Sequence, residues 1–177
     1  MFVHLNSYPG VGKFTIGRAL AAQLGGKLLD NHSIYNIAFA LTEFRSPAFY
    51  DTVRAARDLA YQRVLELPET TPVILTNWYS KGSSWGEENW DEVIALARRR
   101  RSAHNVVILS CSSEENANRI QDVSRNAMRK PRDPAMVDAN RNGRPLIDRG
   151  ADRLLHLDVT KLSAEAAATS IANWLSE

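Results

Sequence analysis

The residues with the most evident chemistry lie near the start of the chain, in Ser7-Tyr8-Pro9-Gly10-Val11-Gly12-Lys13-Phe14-Thr15. Two glycines separated by one residue permit a turn whose successive backbone N–H groups point inward, and such a concavity binds phosphate oxygens. A lysine directly after the second glycine reaches the β- and γ-phosphates of a nucleoside triphosphate. A hydroxyl two residues further on faces a bound Mg²⁺ ion. Gly10, Val11, Gly12, Lys13, Phe14 and Thr15 are therefore the expected ATP-binding residues, with Lys13 also acting on the transferred phosphoryl group and Thr15 on the metal. The run departs from the strict G-x-x-x-x-G-K-[ST] pattern twice: Ser7 holds the first glycine position, and Phe14 displaces the hydroxyl to Thr15.

A cradle of this kind needs a strand before it and a helix after it, because the positive helix N-terminus sits behind the phosphates. The flanking sequence meets that need. Short apolar runs at residues 2–5, 27–29, 72–75, 106–109 and 154–157 predict strands. Helical spacing predicts helices over 13–24, 47–67, 88–101, 113–129 and 163–175. Strand alternating with helix predicts an α/β protein, a five-stranded parallel sheet with helices on both faces in a three-layer sandwich. No repeat, low-complexity tract or linker divides residues 1–177, so one domain is expected. The stretches 31–45, 78–89 and 131–149 carry the least regular pattern. The first two follow strands directly, where ligands of a parallel sheet bind, and are expected to be substrate loops.

The loop resembles that of the nucleoside monophosphate kinases, in which the lysine is followed by another residue and then threonine. Gly17-Arg18-Ala19-Leu20-Ala21-Ala22-Gln23-Leu24-Gly25, followed by Lys27-Leu28-Leu29-Asp30, resembles the opening of the shikimate kinase-like and gluconate kinase-like small-molecule kinases. The likeness covers roughly the first 35 residues, and its glycine loop is the specific part. It implies the P-loop NTPase fold, ATP and Mg²⁺ as cofactors, and transfer of the γ-phosphoryl group to a hydroxyl of a small-molecule acceptor. Asn118-Arg119-Ile120 through Arg125 and Arg129-Lys130 is similar to the arginine-bearing lid of that superfamily, placing a lid within 119–135. Leu157-Asp158-Val159-Thr160-Lys161-Leu162-Ser163 is similar to the turn that borders adenine.

In shikimate kinases the second strand ends in Asp-x-Asp, the first aspartate helping to hold magnesium and the second contacting the substrate hydroxyl. Here Asp30-Asn31-His32 stands there. Asp30 is a candidate catalytic and metal-site carboxylate, also because it ends a strand beside the loop. His32 is a candidate substrate residue, since a neutral imidazole also accepts a proton; packing is the alternative role. The glycine triplet of shikimate kinases is replaced by Thr76-Asn77-Trp78, so shikimate is not the expected acceptor. Asn77 and Trp78 are candidate acceptor contacts. Trp78, Tyr79, Trp85 and Trp90 cluster in sequence and fit a pocket wall, a dimer patch or half-buried loop packing.

Phosphoryl transfer gathers negative charge, and arginine answers it with a permanent charge and a bidentate fork. Arg119 and Arg125 are candidate catalytic residues, Arg119 also contacting nucleotide; six apart on one predicted helix, they would lie within about 120° around its axis. Arg98 to Arg101 are expected to form a solvated helix end.

A formal net charge of +2 provides no global field for nucleic acid or an anionic membrane, and 44% apolar residues suffice for a core. The single cysteine, Cys111, excludes an intramolecular disulfide and is expected in the core. The N-terminus has no signal-peptide pattern, and no apolar run reaches membrane-spanning length. A cytoplasmic protein, monomer or homodimer, is expected. Two other readings remain open here: a nucleotide or polynucleotide kinase, and a nucleotide-binding module without efficient transfer.

Overall fold

The computed structural model describes residues 1–177, apart from the side chains of Ser124, Ala127, Met128 and Arg141. Five strands, β1 (Phe2–Asn6), β2 (Lys27–Asp30), β3 (Val73–Asn77), β4 (His104–Ser110) and β5 (Arg153–Asp158), form one parallel sheet in the order β2-β3-β1-β4-β5. Seven α-helices accompany them: α1 (Lys13–Leu24), α2 (Asn31–Leu41), α3 (Pro47–Glu66), α4 (Ser84–Arg99), α5 (Ser113–Ile120), α6 (Ala135–Gly143) and α7 (Ala164–Ser176).

The central strands alternate their side chains between two cores, as the period of a strand requires. Val3, Leu5, Ile74, Val107 and Leu109 pack against Ile16 and Leu20 of α1 and Ile171 and Leu175 of α7. Phe2, Val73, Leu75, Val106 and Ile108 pack on the other face against Tyr61 and Val64 of α3 and Trp90, Val93 and Leu96 of α4. The expected three-layer sandwich is thus present, with Cys111 buried in the first core. Each fully buried Leu, Ile or Val contributes about 1.5–3 kcal/mol relative to exposure, so these two layers fix the sheet on which the loops stand.

Five expectations need correction. The stretch after β2 is helix α2, whose first turn is capped by Asp30: its Oδ2 accepts from the His32 N–H at 3.2 Å. Ile34 and Ala38, four apart, bury the inner face of α2 against Phe49 and Val53 of α3. Helix α4 begins at Ser84, four residues earlier than expected, because the Ser83 hydroxyl accepts from the Gly86 N–H. The predicted helix over 113–129 breaks: α5 ends at Ile120, and a 3₁₀ turn spans Val123–Met128, so Arg119 and Arg125 share no helix axis. Asp122, Val123 and Ser124 are weak helix formers, which accounts for the break. Beyond it, α6 occupies part of the stretch expected to be irregular; Pro134 precedes it and Asp133 Oδ1 accepts from the Ala135 N–H, two ordinary helix-start devices. Arg100 likewise is not solvated. It is buried and donates to the carbonyls of Val64, Leu67, Pro68 and Thr71, tying the end of α3 to the approach to β3.

Candidate active site

The glycine loop joins the carboxyl end of β1 to α1. Gly10 and Gly12 have φ of 88° and 111°, a region in which a side chain is strained, and a Cβ on Gly10 would collide with the Asn116 side chain of α5. Gly12 is the N-cap of α1 and offers no side-chain cap, whereas α2, α3, α4, α5 and α7 are each capped by an Asp or Ser side chain. The amides at the start of α1 therefore remain available to an anion. Ser7, in place of a glycine, is buried; its N–H donates to the Asn77 carbonyl at 3.2 Å, and its hydroxyl donates to Tyr8 O.

A cleft of about 1000 Å³ opens over this loop, bordered by residues that directly follow β1, β2 and β3. Gly10, Gly12, Lys13, Phe14, Thr15, Asp30, His32, Trp78 and Arg125 all line it, so most residues singled out from the sequence converge. Among the described residues its wall carries seven lysines or arginines and one carboxylate, Asp30. Such an imbalance in a partly enclosed cleft selects a polyanion.

Lys13 Nζ donates to the carbonyls of Ser7 and Tyr8, at 3.3 and 3.2 Å, within its own loop. Burial lowers its pKa to about 7; Asp30 opposes the shift, while Arg125 and Lys130 add to it. Asp30 is buried, accepts from the Thr76 hydroxyl through Oδ1, and pairs with Lys130 Nζ at 3.5 Å through Oδ2. Lys130 also stands 4.3 Å from the centre of the Phe14 ring. His32 has its pKa lowered to about 4, first by burial and then by the charge of Lys130, with Asp30 opposing, so its imidazole is neutral at neutral pH. Its Nδ1 is buried without a hydrogen-bond partner, and so is Nε1 of Trp78.

The two arginines differ. Arg125 faces the cleft and donates from Nε and Nη2 to the Pro131 carbonyl at 3.0 and 2.9 Å. Arg119 does not line the cleft. It pairs with Glu115 at 2.6 Å and donates to Val11 O at 3.0 Å and Val159 O at 3.0 Å, bracing the glycine loop against the turn after β5. Val11 itself is a core residue whose side chain is buried. Asn77 stands behind the cleft wall, donating to Asn31 Oδ1 and to the Tyr79 hydroxyl, both at 2.9 Å. The aromatic cluster disperses: Trp78 lines the cleft, Tyr79 and Trp90 are buried, and Trp85 donates to the Tyr35 hydroxyl at 2.7 Å.

Sequence reasoning missed Lys130 as the partner of Asp30, and missed Tyr35, Phe39 and Phe44, which line the cleft. The signal for the aromatic residues is the helical spacing of Tyr35 and Phe39 within 31–45, which the polar and irregular residues around it obscure.

No protein-family model matches the sequence, and no curated protein matches it. Solved structures match its fold. The tunicamycin resistance protein of Deinococcus radiodurans superposes with a TM-score of 0.64 at 16% identity, covering 98% of this chain and 94% of that one. Shikimate kinase of Aquifex aeolicus gives 0.57 at 16% identity over 99% of this chain and 96% of that one. A gluconokinase of Sinorhizobium meliloti gives 0.57 at 16% identity over 98% and 94%. The chain shares its parallel α/β fold with these shikimate kinase and gluconokinase structures.

Proposed function

We propose that the protein is a kinase that moves the γ-phosphoryl group of ATP, with Mg²⁺, to a hydroxyl of a small molecule. The observation that carries this reading is the uncapped N-terminus of α1 behind the Gly10–Gly12 turn, opening with Lys13 into a cleft of predominantly positive charge. The donor set also fits magnesium. It offers one exposed hydroxyl, Thr15, and one carboxylate, Asp30, and no group of three or more His, Cys, Asp or Glu gathers among the described residues. A hard ion that keeps several waters and takes its other ligands from phosphate suits so sparse a set.

Bound MgATP supplies the phosphoryl group, whose bond to ADP breaks, the electron pair leaving with ADP, as a bond to the acceptor oxygen forms. The work of the chain is to bind, orient and neutralise. The α1 amides and Lys13 hold the phosphates, and Lys13 acquires its full charge against them. Thr15 and Asp30 would hold the metal, Asp30 once Lys130 releases it. Arg125 exchanges the Pro131 carbonyl for the charge that develops on the transferred group. Arg119 positions the glycine loop and the adenine-side turn. His32 orients the acceptor hydroxyl and takes its proton on a ring nitrogen, with Trp78 as a neighbouring donor. Residues 1–177 act as one domain, and 119–135 close over the nucleotide as a lid.

The test is a screen of hydroxylated acceptors that follows ADP release. Acceptor-dependent release by the wild type, lost in Lys13→Ala, is the expected outcome; release undiminished in Lys13→Ala contradicts the proposal.

A further inference from the structure

The lining of the cleft falls into two chemical sets. The basic set comes mainly from the glycine loop, α1 and the segment after α5. The aromatic set, from α2, the turn after it and the residue following β3, is Tyr35, Phe39, Phe44 and Trp78. Phe39 lies at the centre of this wall, its ring centroid 6.1 Å from Tyr35, 5.8 Å from Phe44 and 5.3 Å from Phe49. Phe44 is 62% exposed at the rim, and the Arg45 guanidinium lies 5.0 Å above its ring.

We propose that the acceptor is a hydroxylated compound bearing a flat aromatic ring, and that the ring docks against this wall. The inference rests on the kinase reading above and adds to it the chemical class of the acceptor. A bound polyol or sugar acid needs a hydrogen-bond partner for nearly every hydroxyl, because a buried unpaired polar group is costly. This wall provides few partners. The Tyr35 hydroxyl already accepts from Trp85, and the Asn31 side chain accepts from Asn77. What remains are the Tyr35 O–H and the Asn31 amide N–H groups as donors, and two buried atoms without partners, His32 Nδ1 and Trp78 Nε1. The indole N–H only donates, and the imidazole nitrogen of a neutral histidine accepts or donates according to tautomer. Together they suit one or two hydroxyl groups, which both donate and accept. The rest of the wall suits an aromatic face, which stacks on aromatic rings whatever its substituents. Arg45, already above Phe44, extends that stack as a cation over a ring. A cleft of about 1000 Å³ has room for a nucleotide and such an acceptor together.

Two sources supply this chemistry, the base of a nucleoside and the aromatic aglycone of a glycoside, and the experiment separates them. Calorimetric titrations of the full chain, with Mg²⁺ and a non-hydrolysable ATP analogue, use uridine and adenosine in one arm and phenyl β-glucoside in a second. Glucose, gluconate and shikimate form the third, and turnover with ATP is measured in parallel. Binding in either aromatic arm at least tenfold tighter than in the third is expected, and the tighter of the two identifies the source. Phe44→Ala, at an exposed rim position, weakens that binding about tenfold; Phe39→Leu, which keeps an apolar side chain in the α2–α3 core, does likewise. Equal or tighter binding of the sugars and acids, no binding in any arm, or unaltered binding in both variants overturns the proposal. Aromatic binding without turnover retains this inference and removes the kinase reading. Turnover confined to the third arm retains the kinase reading and overturns this inference.

Discussion

The glycine loop and the basic segment beyond α5 face the same part of the cleft but are built from opposite materials. Between β1 and α1 the working groups are backbone amides. They are fixed by buried strands on either side of β1, by the Ser7–Asn77 bond and by the close approach of Gly10 to Asn116. Beyond α5 the working groups are side-chain cations already engaged with protein oxygens: Arg125 with Pro131 and Lys130 with Asp30. The amides are preorganised and receive phosphate without rearrangement, and only Lys13 must leave the Ser7 and Tyr8 carbonyls. A side-chain site must exchange partners. The loop should therefore govern affinity, while the segment should govern rate.

The sharpest way to break that contrast is at Asp30, where the two regions meet through Lys130. Asp30→Asn keeps a side chain able to cap α2 but removes the charge offered to the metal. Turnover should fall by tens of fold, with nucleotide affinity changing by less than about threefold, because the loss acts mainly on the transition state. Equal turnover across a magnesium titration would remove Asp30 from the site.

A smaller effect separates the two arginines. Arg125→Ala should lower kcat about tenfold, roughly 1.4 kcal/mol of barrier, with ATP affinity nearly intact. Arg119→Ala should do the reverse, weakening ATP binding several-fold through the unbraced loop and adenine-side turn. Steady-state kinetics with direct binding distinguishes the two; the same pattern in both variants would dissolve the contrast.

These differences follow from what sequence can encode locally. The loop was legible because strand, glycines, lysine and helix are adjacent in the chain, and the strand–helix alternation carried the sheet. The partners of the segment were not, since Lys130 and Asp30 meet across a hundred residues. Helix α2 was hidden for a related reason. Asp30 and His32 read as site residues, and the same two residues form the cap that starts the helix. Arg100 looked solvated within a run of four arginines, and only the tertiary position of the α3 carbonyls reveals it as a buried staple. Tyr35, Phe39 and Phe44 belong to one wall only once α2 is a helix folded onto α3.

A further contrast, read in stability rather than in turnover, probes the strand under the loop. His4 and His104 lie in the core with ring nitrogens 3.3 Å apart, and burial holds both below the ordinary histidine pKa, His104 adding to the shift of His4. Unfolded, they titrate near 6.5, so below that pH the unfolded chain binds more protons and stability falls as pH drops; above it the contribution is constant. Each pH unit below 6.5 costs up to about 1.4 kcal/mol per histidine, about 3–6 °C in Tm for a chain of this size. His32 acts in the same sense. Thermal melts between pH 7.5 and 5 should show this slope, reduced but not abolished in His4→Gln. A flat profile would contradict the buried neutral pair.

The most direct test of the loop as the affinity-determining site is calorimetric titration of MgATP into the wild type and Lys13→Ala at pH 8 in two buffers of different ionisation enthalpy. With a free-state pKa of about 7, Lys13 is mostly neutral at that pH and must become charged against the phosphates. Wild-type binding should take up close to one proton, seen as a buffer-dependent enthalpy of roughly that stoichiometry. Lys13→Ala should bind at least tenfold more weakly, without the proton uptake. Equal affinity in the two proteins, or no MgATP binding by the wild type, would contradict a phosphate site built on this loop.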